Sequence, residues 1–268
     1  MPPVPLPPLR FTKYHGLGND FVVVDGPRMD AARAVRICDR HRGIGADGVL
    51  TILPPRTPGA VATMHVFNAD GSVSRMCGNG IRCVARHLAD QYRIAGQLTI
   101  DTDAGPRACT VHRDAAGQVE AISVEMGPAR VDDDQLFTIG EESLRAVRVD
   151  LGNPHAVLFD EPSRERAGQI GPAIERQVPG GVNVGFARPG PDGIDLVVWE
   201  RGCGLTDACG TGACAAAVAA TRAGASPAGT PVEVRLPGGS LLVTVSADLA
   251  SVTMRGPAER VFQGEIGI

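Results

Sequence analysis

The sequence predicts an α/β chain of two similar lobes, each about 130 residues long and mostly strand with one or two helices. Three echoes carry that expectation. The stretch from Phe67-Asn68 to Cys77-Gly78-Asn79-Gly80 returns 132 residues later as Trp199-Glu200-Arg201 to Cys209-Gly210-Thr211-Gly212. Gly18-Asn19-Asp20-Phe21-Val22-Val23 is echoed by Gly152-Asn153-Pro154-His155-Ala156-Val157 at an offset of 134, and Gly127-Pro128-Ala129 by Gly256-Pro257-Ala258 at 129. One such match arises by chance; three in the same order at similar offsets indicate a duplicated unit, not a short-period solenoid.

The first half reads as follows. Phe11 to Asp25 is a strand, a glycine turn holding Asn19 and a buried strand. Met29 to Arg42 has helical composition and stops at Gly43. Gly43-Ile44-Gly45-Ala46-Asp47-Gly48 matches G-x-G-x-x-G by letter, but the dinucleotide motif needs a strand before it and a helix after it. Here a helix precedes and the strand Val49 to Leu53 follows, so the segment is read as a turn. Val61 to Phe67 is a strand. Behind Cys77, the residues Ile81, Val84, Ala85, Leu88 and Tyr92 fall at helical spacing, with Arg82, Arg86, Asp90 and Gln91 on the opposite face of an amphipathic helix. Leu98 to Thr102, Ala108 to His112 and Glu120 to Met126 are short strands.

In the second half, Pro172 to Gln177 is read as a short helix and Val182 to Phe186 as a strand. Leu196 to Trp199 leads into the second cysteine element and its alanine-rich helix. Val232 to Leu236 and Leu241 to Val245 flank Pro237-Gly238-Gly239 as a hairpin. The lobes are placed at residues 1–130 and 131–257, with residues 1–9 a proline-rich loose tail.

Composition narrows the function classes. Lys+Arg 26 against Asp+Glu 30 gives a net charge of −4, and the arginines are scattered, so nucleic acid is not an expected partner. No apolar run reaches the length of a membrane span and no signal peptide is recognisable, so the protein is read as cytoplasmic, without a membrane partner. Seven cysteines, an odd number, argue for reduced thiols. Lys13 is the only lysine and hence the only Schiff-base candidate for pyridoxal phosphate. No C-x-x-C pair marks a zinc site.

The chemistry concentrates on the duplicated cysteines. A cysteine followed by a glycine-punctuated turn and a helical run sits at a helix N-terminus, where unpaired N–H groups and the dipole favour a thiolate. If two matched elements face one another, Cys77 and Cys209 approach one carbon from opposite sides, one removing a proton and the other returning it, which inverts the centre. The N–H groups of Gly78, Asn79, Gly210 and Thr211 are the candidate donors to a developing enolate. The other cysteines, Cys38, Cys83, Cys109, Cys203 and Cys214, are read as small buried hydrophobes.

At the level of motifs, His15-Gly16-Leu17-Gly18-Asn19-Asp20-Phe21, Phe67-Asn68-Ala69-Asp70-Gly71, Cys77-Gly78-Asn79-Gly80, Gly152-Asn153-Pro154-His155, Val182-Asn183, Glu200-Arg201-Gly202 and Ala208-Cys209-Gly210-Thr211-Gly212 resemble those of the diaminopimelate epimerases. The resemblance implies a cofactor-independent isomerase, without a metal, that converts LL-2,6-diaminopimelate to the meso form in lysine and peptidoglycan-precursor synthesis. It implies two pseudo-symmetric lobes, each a curved, mostly antiparallel sheet around a central helix, with the active site in the cleft between them and the segment 258–268 returning to the first lobe. It makes Cys77 and Cys209 the acid/base pair and gives the reacting carboxylate to Gly78, Asn79, Gly210 and Thr211. Asn19, Asn68, Asn153, Asn183, Glu200 and Arg201 hold the distal amino acid centre, and His155 and Glu200 tune the thiols. A homodimer is the expected assembly. Two positions depart from the commoner pattern: Gly48 stands where many members have glutamine, and Leu205 where glutamate usually precedes the threonine at 206.

Two other readings differ in substrate or class. Proline and hydroxyproline racemases share the chemistry, but typically carry histidine where Asn79 stands, and the Glu200-Arg201 pair suits a substrate with a distal amino acid group. A nucleotide- or metal-binding protein would use the Gly43 to Gly48 turn or the cysteine cluster.

Overall fold

Short Val/Ile-rich runs bounded by glycine turns dominate the chain, and in the computed structural model, which describes residues 8–26, 29–94 and 96–267, they form its β-strands. The elements of the first half are β1 (Leu9–Gly16), β2 (Asn19–Asp25), α1 (Ala31–Cys38), β3 (Gly48–Leu53), β4 (Ala62–Asn68), β5 (Val73–Ser74), α2 (Gly78–Gln91), β6 (Gly96–Asp101), β7 (Arg107–Arg113) and β8 (Val119–Gly127). There follow β9 (Arg130–Val131), β10 (Gln135–Ile139), β11 (Glu142–Asp150), β12 (Pro154–Phe159), α3 (Arg164–Gln177), β13 (Asn183–Gly190) and β14 (Gly193–Glu200). The chain ends with β15 (Gly204–Thr206), α4 (Gly210–Arg222), β16 (Val232–Leu236), β17 (Gly239–Val245), β18 (Val252–Gly256) and β19 (Glu259–Ile266). It divides into two units, Met1–Ile122 with Pro257–Ile268, and Ser123–Gly256. Of the tail expected over residues 1–9, the first seven lie outside the described residues, while Leu9 already belongs to β1.

Within the first unit, β19 pairs antiparallel with β1, β1 with β2, and β2 runs parallel to β3. Strand β3 pairs antiparallel with β4, which takes β5 antiparallel and β6 parallel; β6 then pairs antiparallel with β7. The second unit repeats this pattern with β10, β11, β12, β13, β14, β15, β16 and β17 in the places of β19, β1, β2, β3, β4, β5, β6 and β7. The duplication read from the sequence is thus a duplication of strand pairing. Leu236 pairs with Gly239, so the expected hairpin turns at Pro237-Gly238.

Each unit centres on one helix. Helix α2 packs against β1, β2, β3, β4, β6, β7 and β19, and α4 against β11, β12, β13, β14, β16, β17 and β18. A helix about 10–12 Å across, laid on a flat sheet with strands about 4.8 Å apart, meets two or three of them. Contact with seven means that the sheet curls around the helix. Every residue of α4 from Gly210 to Ala220 is buried, and its run of alanines lets the strands close in on all sides. The outer helices cover the far face of each sheet: Ile37 of α1 joins Val22, Val24, Val49 and Phe67, while Ile170 and Ile174 of α3 join Leu158, Val184 and Phe186.

Four expectations are corrected. The helix expected over Met29 to Arg42 is limited to Ala31–Cys38, capped by Asp30, because the Asp39 carboxylate accepts the N–H groups of His41 and Arg42 at 2.8 and 2.9 Å and turns the chain. The helix expected from Pro172 begins at Arg164, where the Ser163 hydroxyl accepts the Arg166 N–H at 3.1 Å, and Pro172 sits inside it. Its Gly171 is needed for close approach, since a Cβ there would lie 2.5 Å from the Trp199 side chain. Arg82 is wholly buried, not on a solvent face, and Cys203 is exposed, not buried.

Candidate active site

In both cysteine elements the helix begins immediately after the cysteine, which occupies the N-cap with extended backbone (φ −135° at Cys77, −127° at Cys209). Serine, threonine, aspartate or asparagine ordinarily fill this place, because their oxygens satisfy N–H groups that have no intrahelical partner. A thiol there faces those same N–H groups and the positive end of the dipole.

In the first unit, the Gly80 N–H donates to Cys77 Sγ at 3.3 Å. Gly78 and Asn79, both buried, supply the first two backbone amides of α2. The Asn79 side chain accepts from Arg82 Nη2 at 3.0 Å and donates from Nδ2 to Asn19 Oδ1 at 3.1 Å; Asn19 Nδ2 donates in turn to Asp47 Oδ2 at 2.8 Å. The structure therefore brings Asn19 and Asn79 together. Asn68 belongs to the β4–β5 turn instead, its Nδ2 donating to Ser72 Oγ at 2.9 Å. Beneath Asn19, Asp20 pairs with Lys13 at 2.7 Å and with Arg40 at 2.8 Å. Burial alone would raise this carboxyl, but the hydrogen bonds from Arg40 and Lys13 hold it down at about 2. The only lysine is thus committed to a buried ion pair. Gly48, at the departure from the family pattern, leaves no room for a side chain: a Cβ there would lie 2.7 Å from the Phe67 carbonyl oxygen.

In the second unit, Cys209 is buried, and burial followed by the negative charge of Glu200 pushes its thiol well above the ordinary range; the Gly212 amide and the Thr211 hydroxyl, 3.7 Å from Sγ, pull the other way. Thr211 Oγ1 accepts from Asn153 Nδ2 at 3.1 Å, and Asn153 Oδ1 lies 3.3 Å from His155 Nε2. These four residues form one chain ending at the sulphur. Glu200 Oε1 accepts from the Thr206 hydroxyl at 2.6 Å. Asn183 Oδ1 accepts the Arg201 N–H at 3.0 Å, and the exposed Arg201 guanidinium donates to Gly180 O at 3.1 Å. Leu205, the other departure, packs on the α3 core and so has an apolar role there.

Two contributors went unread in the sequence. Glu175 of α3 accepts from Trp199 Nε1 at 2.7 Å and from the Gly202 N–H at 3.1 Å, so it fixes the turn that carries Glu200 and Arg201; with α3 placed too short, nothing singled it out. Arg82 is the other.

His155 gives the second unit an acid-sensitive point. Burial, then the charge of Arg201, push its imidazole down to about 3 from 6.5, so it is neutral in the native protein at neutral pH. Between these values the unfolded chain binds a proton that the native one does not. Stability is therefore complete above pH 6.5 and falls as the pH drops through the window, by up to about 1.4 kcal/mol per pH unit. His155→Gln, which never titrates, flattens that slope in urea melts at pH 4, 5, 6 and 7; equal slopes in both proteins would remove the histidine as its source.

The family model described as diaminopimelate epimerase matches residues 11–131 and 147–261. The chain belongs to the diaminopimelate epimerase family. Curated diaminopimelate epimerases of Stutzerimonas stutzeri, Desulforudis audaxviator and a Cyanothece species are 40%, 41% and 42% identical to it, each alignment covering 96% of this chain and 99% of the relative. The fold also extends to proteins outside the diaminopimelate epimerase family. A probable proline racemase from Agrobacterium radiobacter superposes with a TM-score of 0.79 at 18% identity, covering 97% of this chain and 93% of the other. A hydroxyproline epimerase from Agrobacterium vitis gives 0.78, also at 18%, covering 97% and 91%. At that identity they share the architecture alone. As in other isomerases of the diaminopimelate epimerase family, the chemistry must then be read from this chain's own residues. Among the described residues no helix is long and apolar enough to cross a membrane, and no group of three or more His, Cys, Asp and Glu is placed to hold a metal ion.

Proposed function

We propose that this chain inverts one α-carbon of LL-2,6-diaminopimelate to give the meso isomer, in lysine and peptidoglycan-precursor synthesis, with Cys77 and Cys209 as the two proton-transfer groups and no cofactor. The observation that carries the reading is the paired setting of the two thiols: each unit caps its central helix with a cysteine, and the first turn of that helix follows directly as Gly78-Asn79 or Gly210-Thr211. One thiolate takes the α-proton while the other thiol protonates the opposite face, and the roles exchange in the reverse direction. The amides of Gly78, Asn79, Gly210 and Thr211 receive the reacting carboxylate and the charge that develops on it, where each preorganised donor is worth roughly 2.7–4 kcal/mol.

The distal end of the substrate carries a second carboxylate, matched by Arg201 and the amides of Asn19, Asn68, Asn153 and Asn183, and an ammonium matched by Glu200. An ammonium at Glu200 cancels the charge that helps to keep the proton on Cys209, so binding the correct substrate also readies that thiol. His155, neutral, acts through Asn153 and Thr211. A cytoplasmic location fits a site that needs both thiols reduced, and none of the seven cysteines is held in a disulfide. The working assembly is a homodimer; sedimentation at the 27.9 kDa of one chain would overturn that.

Incubation with LL-diaminopimelate in deuterium oxide tests the function. The expected result is meso product carrying deuterium at the inverted α-carbon, and no exchange into proline. Absence of both inversion and exchange, with the thiols reduced, would sink the assignment.

A further inference from the structure

Arg82 is the largest fully buried side chain among the described residues. Burying a guanidinium is costly unless its donors are met, and here they are met by oxygens of the cysteine element and its surroundings. Nη1 donates to the Gly78 carbonyl at 3.1 Å, Nη2 to Asn79 Oδ1 at 3.0 Å and Nε to the Pro257 carbonyl at 3.1 Å. Two of these three bonds end on the residues that directly follow Cys77.

We propose that Arg82 is a positioning residue for the Cys77 half of the reaction, fixing the Gly78–Asn79 peptide and the Asn79 side chain so that the first amides of α2 stay aimed at the reacting carboxylate. The inference rests on the epimerase reading above. Its physical basis is local. The Gly78 carbonyl and the Asn79 N–H belong to one peptide group, so a cation on the oxygen polarises the N–H and strengthens it as a donor. The bond to Asn79 Oδ1 decides which way that amide faces, leaving Nδ2 to donate to Asn19, whose own Nδ2 then donates to Asp47. Each amide in the chain from cation to carboxylate has one orientation, and Arg82 sets the first.

The duplicated element makes the role specific to one unit. The residue 132 positions after Arg82 is Cys214, buried and uncharged, while the residue 132 before Glu200 is Asn68. The first copy of the element thus carries a buried cation where the second is neutral, and the second carries a carboxylate where the first is neutral. An anion is held more strongly at the α2 end, which is where Arg82 acts.

Three variants test the proposal: Arg82→Met, Arg82→Lys and Gly16→Ala. The last keeps every charge, but its Cβ would lie 2.8 Å from Arg82 Nη2 and so displaces the guanidinium from Asn79. Gly16→Ala is expected to lower kcat/KM by tenfold or more, and Arg82→Met by a hundredfold or more. Arg82→Lys keeps a cation without the fork and falls between them. The second readout is the pH profile of iodoacetamide labelling at Cys77, followed by peptide mass spectrometry without substrate. Its midpoint moves upward in Arg82→Met and is largely restored in Arg82→Lys, while labelling of Cys209 stays as in the parent. If Arg82→Met fails to fold, the other two variants carry the test. Parental kcat/KM with an unmoved Cys77 profile in folded variants overturns the proposal, as does lost activity with an unmoved profile, which marks a structural role only. Should the parent protein fail to invert the substrate while the Cys77 profile still shifts, the positioning role stands and the substrate assignment falls.

Discussion

Replacing Cys77 or Cys209 by serine lowers the rate of inversion by about 10²–10⁴-fold, the contribution of a positioned proton-transfer group, while the melting temperature stays within a few degrees of the parent. Serine separates catalysis from folding because it is itself an ordinary N-cap residue. At position 77 its hydroxyl can accept the Gly80 N–H that now donates to Sγ at 3.3 Å. At position 209 the smaller hydroxyl keeps polar neighbours, since the Thr211 hydroxyl and the Glu200 carboxylate both act on the sulphur there. Neither helix loses its start. What is lost is the ability to hold or release a proton near neutral pH, which a thiol has and an alcohol lacks. Steady-state inversion and solvent-deuterium incorporation, measured beside a thermal melt, check this; a serine variant that keeps more than a tenth of the parental rate takes its cysteine out of the proton transfer.

Gly43→Ala is expected to destabilise the first unit by about 3 kcal/mol or more, the cost of forcing a group into a fully occupied site. A Cβ on Gly43 would lie 2.1 Å from the Arg36 carbonyl oxygen and 2.6 Å from that of Ile37. These are backbone atoms at the end of α1, and the Ile37 oxygen already accepts the N–H groups of Ile44 and Gly45 at 2.9 and 3.0 Å. The chain cannot relax without breaking the turn that delivers Asp47 to Asn19. Gly59→Ala is the control: its φ of +85° strains an alanine, but nothing lies within 4 Å, so it costs only about 1–2 kcal/mol. Urea denaturation of both variants decides; equal losses would show that backbone conformation alone, not crowding, makes Gly43 necessary.

That result also bears on how the G-x-G-x-x-G letters were read. They mark a turn in which Gly43 is demanded by contact with the end of α1 and Gly48 by contact with the Phe67 carbonyl of β4, and the order of elements around them was visible in the sequence. The cysteine elements were legible for a similar reason, since a polar, glycine-rich start followed by an apolar run identifies a helix end wherever it is packed. The inside of the wrapped units was harder to read. Charges at helical spacing in α2 suggest a solvent face, and Arg86 and Asp90 are indeed only half-buried and Gln91 exposed; Arg82, one turn nearer the cysteine, is enclosed instead and accommodated by the Gly78 and Pro257 carbonyls and Asn79 Oδ1, which no periodicity reveals. Pro172 suggests a helix start because proline usually marks one; in α3 it lies inside, and the cap is Ser163, nine residues earlier. Cys203 was grouped with the buried cysteines on residue type, and only the tight turn between β14 and β15 exposes it.

The pairing of β1 with β19 sets an order on biosynthesis. Leu9 meets Ile266, so the sheet that encloses the Cys77 helix lacks its edge strand until residue 266 has left the ribosome. The second unit, Ser123–Gly256, has all of its own residues by then. Domains generally form as units while synthesis proceeds, and closing a loop of this length carries an entropic cost that grows only slowly with its size. The first unit is thus begun before the second and finished after it, and a chain released before β19 is made holds one completed thiol site and one still missing a wall.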